Sequence, residues 1–352
     1  MKRHIGSHEN NFDLLRLFAA VQVLLLHHIA FFSANSESTY GLIDRIIWNF
    51  PGVNIFFIIS GYLIFQSLER NNILIFAKKR IKRIYPALFA CFIFTVLMLI
   101  LFNSLNTLEI FSFDFAKWVL AQLTVFQFYN PDIIRDFGFG PPNGALWTIS
   151  VEIQFYIFIM ILWHWVLVKK SIKTQNIVLA LVFVVSGAYN YLFNTYLSPN
   201  GFAYKLSFVL VLPYLYFFAT GGFIYINREF FIPKLKGKAF LWIVFFIVTC
   251  LLSDHFQIRY HRYVFNGLSF FMLVLLTGLI FSIAYTNMCL SKRILKGNDI
   301  SYGIYIYQMP VINLFYQLKY NTNIPQFLLS VSVCIILGAL SWFLIEKKIL
   351  KR

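Results

Sequence analysis

Apolar residues in this chain fall in long blocks separated by short polar and basic stretches. A helix that crosses a bilayer needs about 20 mostly apolar residues. Blocks near that length occur at Leu14–Phe32, Ile46–Leu68, Ile84–Phe102, Leu146–Val168 and Ile177–Phe193. Five more follow at Leu206–Ile226, Ala239–Leu252, Val264–Tyr285, Ile300–Leu318 and Phe327–Ile345, the seventh block overall being the shortest. Each predicts a transmembrane helix. One further aromatic segment, Ala116–Tyr129, is too short to span and predicts a re-entrant or interfacial helix.

Composition agrees with the pattern. Of 352 residues, 59% are hydrophobic and 12% charged, against roughly 45–50% and about 25% in soluble domains. So few charges cannot cover a soluble fold, which excludes a soluble enzyme and a disordered chain. A net charge of +16 invites a nucleic-acid reading. The basic residues, however, sit in short clusters between apolar blocks, as in membrane topology, and no nucleic-acid partner is expected.

Charge placement also orients the chain. With ten spans and both termini in the cytoplasm, 22 of the 29 loop and tail Lys/Arg lie inside. The inner set includes Lys2, Arg3, the run from Lys78 to Arg83, Lys234, Lys236, Lys238 and Arg352. The outer set is Arg45, Lys117, Arg135, Lys205, Arg259, Arg262 and Lys319. Counting Ala116–Tyr129 as an eleventh span would reverse several clusters, so the positive-inside rule favours ten, with Asn103–Ala145 as one long outer excursion. The expectation is an all-α membrane protein forming one integral-membrane domain over 1–352, with no separate soluble domain. Cys91, Cys250, Cys289 and Cys334 are isolated and suggest neither a disulfide framework nor a metal site. The first block carries Arg16 and no good cleavage site, so it reads as a retained span.

Polar groups within spans are costly and therefore candidates for function. In FDLLRLFAAVQVLLLHH, Arg16 and His27 are eleven residues apart. On a helix they share a face within about 20° and are separated by about 16.5 Å along the axis. Arg16 can be a snorkelling anchor near the cytoplasmic mouth or a functional cation. His27 lies deep, while His28 points about 100° away. In the second block Asn54 can orient a neighbour, and Ser60 and Gly61 read as a close-packing notch. Arg80 and Arg83, i,i+3 in FAKKRIKRIYP, share a face and read as a positive-inside anchor or a phosphate clamp. Glu152 lies near Trp147 at the start of the fourth block, where a carboxylate can partner an imidazole. Gln308 is the one polar side chain deep in SYGIYIYQMPV.

Taken together and in order, these segments resemble acyltransferase family 3, the membrane acyltransferases that decorate bacterial O-antigens, capsules and Nod factors. The resemblance rests on Arg16-x10-His27, GVNIFFIISGYLI, Arg80-x2-Arg83 followed by Tyr85-Pro86, LWTISVE ending at Glu152, and SYGIYIYQMPV. It implies ten spans in the bacterial inner membrane, cytoplasmic acetyl-coenzyme A as donor, and O-acetylation of a glycan hydroxyl on the far side. By position, His27 would be the catalytic histidine, Arg16 its motif partner, and Arg80 and Arg83 the donor-contacting pair. Asn54 stands where Asp is frequent, and Gln308 where His is frequent. No C-terminal hydrolase-like domain, such as some relatives carry, is seen. The residue types suit the chemistry, because removing a hydroxyl proton near pH 7 is the usual work of a neutral imidazole. A flippase or transporter of a lipid-linked glycan is the competing reading. The absence of inverted repeats and paired broken helices, and the few intramembrane carboxylates, argue against it.

Overall fold

A computed structural model describes residues 10–32, 49–256, 258, 263–319 and 324–351. The expectations for Lys2, Arg3, Arg45, Arg259, Arg262, Arg352 and the start of the second block at Ile46 lie outside the described residues. Regular structure among the described residues is all helical. Among the described residues, seven helices are long and apolar enough to cross a membrane, or up to nine if each of two bent pairs is one span. With so many apolar helices, this is a multi-pass membrane protein.

The chain folds as two compact units, each assembled from separated stretches. The first takes residues 1–19, 51–73 and 155–297; the second takes 20–50, 74–154 and 298–352.

In the first unit, α2 (Gly52–Arg70) packs against α9 (Leu215–Ile226). Glycines allow the close approach. A Cβ on Gly61 would overlap the backbone of Phe218, and one on Gly221 would overlap the backbone of Ile58 and Tyr62. Without a hydrophobic drive between helices in lipid, such small-residue contacts supply the association. This supports the notch read at Gly61; Ser60 sits beside it, partly exposed. The long α7 (Ile172–Tyr196) turns Ile177, Leu181, Val185 and Leu192 outward, as a lipid-facing surface requires, and buries Ser186 and Asn190.

Those two buried polar residues explain a difference from the sequence reading. The block at Leu206–Ile226 is a broken pair, α8 (Phe202–Val209) and α9, bent by 57° through a 3-10 turn containing Pro213. A break in a span frees carbonyls that the bilayer cannot satisfy, so neighbouring side chains must. Ser186 Oγ donates to Leu212 O at 2.7 Å, and Asn190 Nδ2 donates to Pro213 O at 3.0 Å. The block at Ala239–Leu252 is likewise preceded by a bent partner. Helices α10 (Arg228–Leu235) and α11 (Ala239–His255) meet at 83°, where Gly237 takes a positive φ of 81° and Ser282 Oγ donates to Leu235 O at 2.6 Å. The expected absence of paired broken helices is therefore corrected. Both breaks lie in the first unit, and these freed carbonyls are taken by the protein's own hydroxyls and amides. Helix α12 (Gly267–Tyr285) completes the unit; Asn11, just before α1, donates to Ile283 O and Thr286 O at its C-terminus, both at 2.9 Å.

The second unit contains the C-terminal part of α1 (Phe12–Phe32), then α3 (Ile73–Leu101), the short α4 (Thr107–Ile110) and α5 (Phe113–Gln122), and the start of α6 (Trp147–Leu162). After the first unit's α13 (Leu290–Leu295), it adds α14 (Ser301–Gln317), α15 (Ile324–Ser341) and α16 (Lys347–Leu350). Helix α3 begins eleven residues before the expected Ile84, because the basic segment Lys78–Arg83 is itself helical. Helix α5 has ten residues, about 15 Å, too short to span. It buries Trp118 against Phe92, 5.0 Å between ring centroids. The ninth expected span differs most. Helix α14 has 17 residues, about 25 Å, and nearly every side chain is buried. It packs directly on α15, where Gly303 and Gly338 meet backbone to backbone.

Candidate active site

Helix α1 is unbroken from Phe12 to Phe32, so Arg16 and His27 keep the same-face relation that their spacing predicts. In the first unit, Arg16 Nη2 donates to Asp13, one turn earlier, a partner that an i,i+3 acid–base spacing could have flagged.

In the second unit, His27 Nδ1 lies 3.1 Å from Gln308 Oε1, at the middle of α14. The opposite end of that amide fixes its orientation, since Gln308 Nε2 donates to Tyr305 O at 2.8 Å. A flipped amide would set two carbonyl oxygens against each other. Gln308 Oε1 therefore accepts and Nδ1 of His27 donates, which selects the neutral tautomer whose lone pair is on Nε2. An oriented neutral imidazole with a basic Nε2 is what a general base requires. His27 is partly exposed while Gln308 is fully buried, so the orienting partner is shielded and the imidazole is reachable. His28 is different. It is fully buried, with Nδ1 2.9 Å from Leu24 O and Nε2 2.6 Å from Ser330 Oγ on α15, both ring nitrogens engaged in packing.

Helix α14 is held at its middle by a consequence of Pro310. Proline lacks the N–H that would bond four residues back, so Ile306 O is left without its helical donor. Asn143 Nδ2 donates to it at 2.9 Å and Cys91 Sγ at 3.2 Å. The loop before α6 is thereby pinned to α14. Asn313 fastens it again: its Nδ2 donates to Pro141 O and Pro142 O, both at 3.0 Å, and its Oδ1 accepts from Phe139 N at 3.0 Å. Gly138 has φ +67°, and a Cβ there would strike Asn313. Phe139 reaches Phe31, 4.6 Å between centroids, and Phe31 meets the His27 ring edge at 6.3 Å. Thus the tail of the long excursion is stapled beside the histidine.

At the N-terminal end of α14 stands Arg83 of the basic pair. Arg83 Nη2 donates to Asp299 Oδ2 at 2.6 Å, and Nη1 lies 3.7 Å from Glu346 Oε2. Asp299 also accepts from Ser301 N at 3.2 Å and from the Ser301 hydroxyl, at the start of α14. Glu346 is 1% exposed, and Ser341 Oγ donates to its Oε1 at 3.0 Å. Arg80 is partly exposed, its guanidinium carbon 5.5 Å from the Phe76 ring centre. From Ser301 to Gln308 the rise along α14 is about 10 Å. The start of α14 thus adjoins Arg83, and the contact with the imidazole lies about two turns further on. Glu152 and Trp147, both partly exposed on α6, lie in this unit as well. Asn54 is fully buried at the start of α2 in the first unit.

Sequence reasoning missed Asp299 and Glu346, which lie at the ends of apolar blocks and look like ordinary loop acids. It also missed Asn143 and Asn313, whose signal was available only as Pro310 within a span and Gly138 in a loop.

A family model described as an acyltransferase domain matches residues 9–346. The chain belongs to acyltransferase family 3. Among its relatives are an O-acetyl transferase of Shigella phage Sf6, 30% identical over 98% of this chain and 97% of that protein, and Nodulation protein 10 of Rhizobium leguminosarum, 29% identical over 99% and 95%. The peptidoglycan O-acetyltransferase OatA of Listeria monocytogenes is 26% identical over 99% of this chain, which spans 57% of that protein. No solved structure matches the chain significantly.

Proposed function

We propose that this acyltransferase moves an acetyl group from cytoplasmic acetyl-coenzyme A to a hydroxyl of a surface or lipid-linked glycan on the far side of the bacterial inner membrane. The observation that carries this reading is the His27–Gln308–Tyr305 relay, which leaves His27 Nε2 as the basic nitrogen. The relatives named as O-acetyltransferases, one of them a peptidoglycan enzyme, favour an acetyl donor and a glycan acceptor. Ten spans with both termini in the cytoplasm form part of the proposal, α14 being the span that length alone leaves out.

In the reaction, the acceptor hydroxyl gives its proton to His27 Nε2 as its oxygen attacks the thioester carbonyl. The new C–O bond forms, the C–S bond breaks, and the imidazolium returns the proton to the departing thiolate. No metal enters this scheme. Glu152 acts as a carboxylate that favours the charged imidazole, with Trp147 beside it shaping the acceptor's approach. Arg80 and Arg83 receive the donor's phosphates at the mouth, Arg83 with its guanidinium held in place by Asp299 and Glu346. Arg16, three turns before His27 on the same helix face, is the motif partner of that histidine. Asn54 and Ser60 support α2. The test compares surface glycan by mass spectrometry from cells with and without the gene. Loss of an acetyl mass supports the proposal; identical glycan spectra contradict it.

A further inference from the structure

The first unit contains a second cavity that the acyl-transfer scheme does not use. It has a volume of about 450 Å³ and opens between α7, α9, α10, α11 and α12. Phe183, Phe223, Phe231, Trp242 and Phe270 supply most of its wall. Its two hydroxyls are spent: Thr220 Oγ1 donates to Tyr216 O at 2.8 Å, and Thr277 Oγ1 donates to Leu273 O at 2.7 Å. The cavity therefore offers hydrocarbon contact and no polar handle. An apolar cavity of about 150 Å³ takes one benzene, so this one has room for roughly three such groups, or about eighteen carbons. Neither a sugar nor a coenzyme could bury its polar groups there.

The segment that carries part of the cavity wall is strongly basic. Helix α10 contributes Phe231 and Leu235 to the wall, and exposed Lys234 stands between them in sequence. Lys236 and Lys238 follow in the exposed turn before α11, and Lys238 O accepts from the backbone N–H of Trp242, another wall residue, at 3.1 Å. Three exposed lysines adjacent in sequence to wall residues of a hydrocarbon slot complement an anionic head group joined to an acyl chain.

We infer that this cavity seats one acyl chain of an anionic glycerophospholipid, with its phosphate against Lys234, Lys236 and Lys238. The volume fits a single chain of ordinary length and is too small for a long polyprenyl chain. The lysine segment belongs to the cytoplasmic side in the topology proposed above, away from the glycan acceptor, so the lipid is a resident of the inner leaflet and separate from the substrate path.

The test uses the full-length protein, purified and reconstituted in nanodiscs of phosphatidylglycerol and phosphatidylethanolamine, with native mass spectrometry reading the lipids retained after release. The wild type should keep one phosphatidylglycerol. Val184→Trp combined with Val274→Trp fills the slot from two exposed wall positions and should lower that adduct at least tenfold. The Lys234→Gln, Lys236→Gln, Lys238→Gln triple variant should abolish the preference for phosphatidylglycerol while leaving a neutral adduct. A phosphatidylglycerol bearing a photoreactive acyl chain should label wild-type peptides containing Phe183, Phe223 or Phe270, which gives a readout independent of how well the filled variant folds. Unchanged retention in the filled variant, labelling elsewhere, or displacement of phosphatidylglycerol by an equal amount of polyprenyl phosphate would each overturn the inference.

Discussion

Two adjacent histidines on α1 have opposite fates, and their partners decide which. His28 is sealed in the interior with both nitrogens bonded, so His28→Ala removes a packing group and strands Ser330. We expect a loss of roughly 1–3 kcal/mol in stability, seen as a lower unfolding temperature, with kcat largely kept in the protein that remains folded. His27 meets the oriented amide of Gln308. Replacing Gln308 by Leu deletes the acceptor that selects the Nδ1–H tautomer, so kcat should drop about 10–100-fold, less than the ~10²–10⁴ contributed by a general base. Donor affinity in that variant should stay put; a KM effect alone would mean that Gln308 serves substrate binding. Both His27 and Gln308 could be picked out in the sequence as candidates, because polar side chains in apolar blocks are conspicuous. Their pairing across 281 positions was not, since linear spacing says nothing about which helices adjoin. The acids on Arg83 were invisible for the same reason.

At the level of elements, the apolar blocks located the helices and failed at their irregularities. A window of hydropathy records the mean and passes over a Pro213 turn whose carbonyls are taken by Ser186 and Asn190. It equally overlooks a helical basic segment such as Lys78–Arg83, which has the wrong polarity for a span and continues α3 all the same. Helix α14 shows the opposite failure: it reads as a span, yet its length is marginal and its surroundings are protein. Glycine positions were more informative. Gly221 lies against the Ile58 carbonyl and Tyr62, so Gly221→Leu should force α9 away from α2. Overpacking of this kind costs typically 1–3 kcal/mol or more, and with backbone on the opposing side there is no rotamer to absorb it. The variant should show a sharply reduced folded yield in size-exclusion chromatography, whereas Gly267→Ala, where a Cβ meets nothing, should behave as wild type.

For the molecule as a whole, topology is the feature that links the basic clusters to the proposed cytoplasmic donor. The count of 22 inner against 7 outer Lys/Arg rests on the whole sequence. Single cysteines at Ser112 or Asn130, in an otherwise cysteine-free chain, should react with an impermeant maleimide from outside intact cells. Reaction only after permeabilisation would invert the arrangement and move Arg80 and Arg83 away from the donor's side.

The claim on which the rest depends is that His27 removes the acceptor's proton. Acetyl transfer from acetyl-coenzyme A to glycan by purified His27→Ala protein, measured beside donor affinity, tests it directly. The account requires a fall in kcat of about 10²–10⁴ with donor affinity and folded yield unchanged. A His27→Ala enzyme that still transfers acetyl at close to the wild-type rate would contradict it.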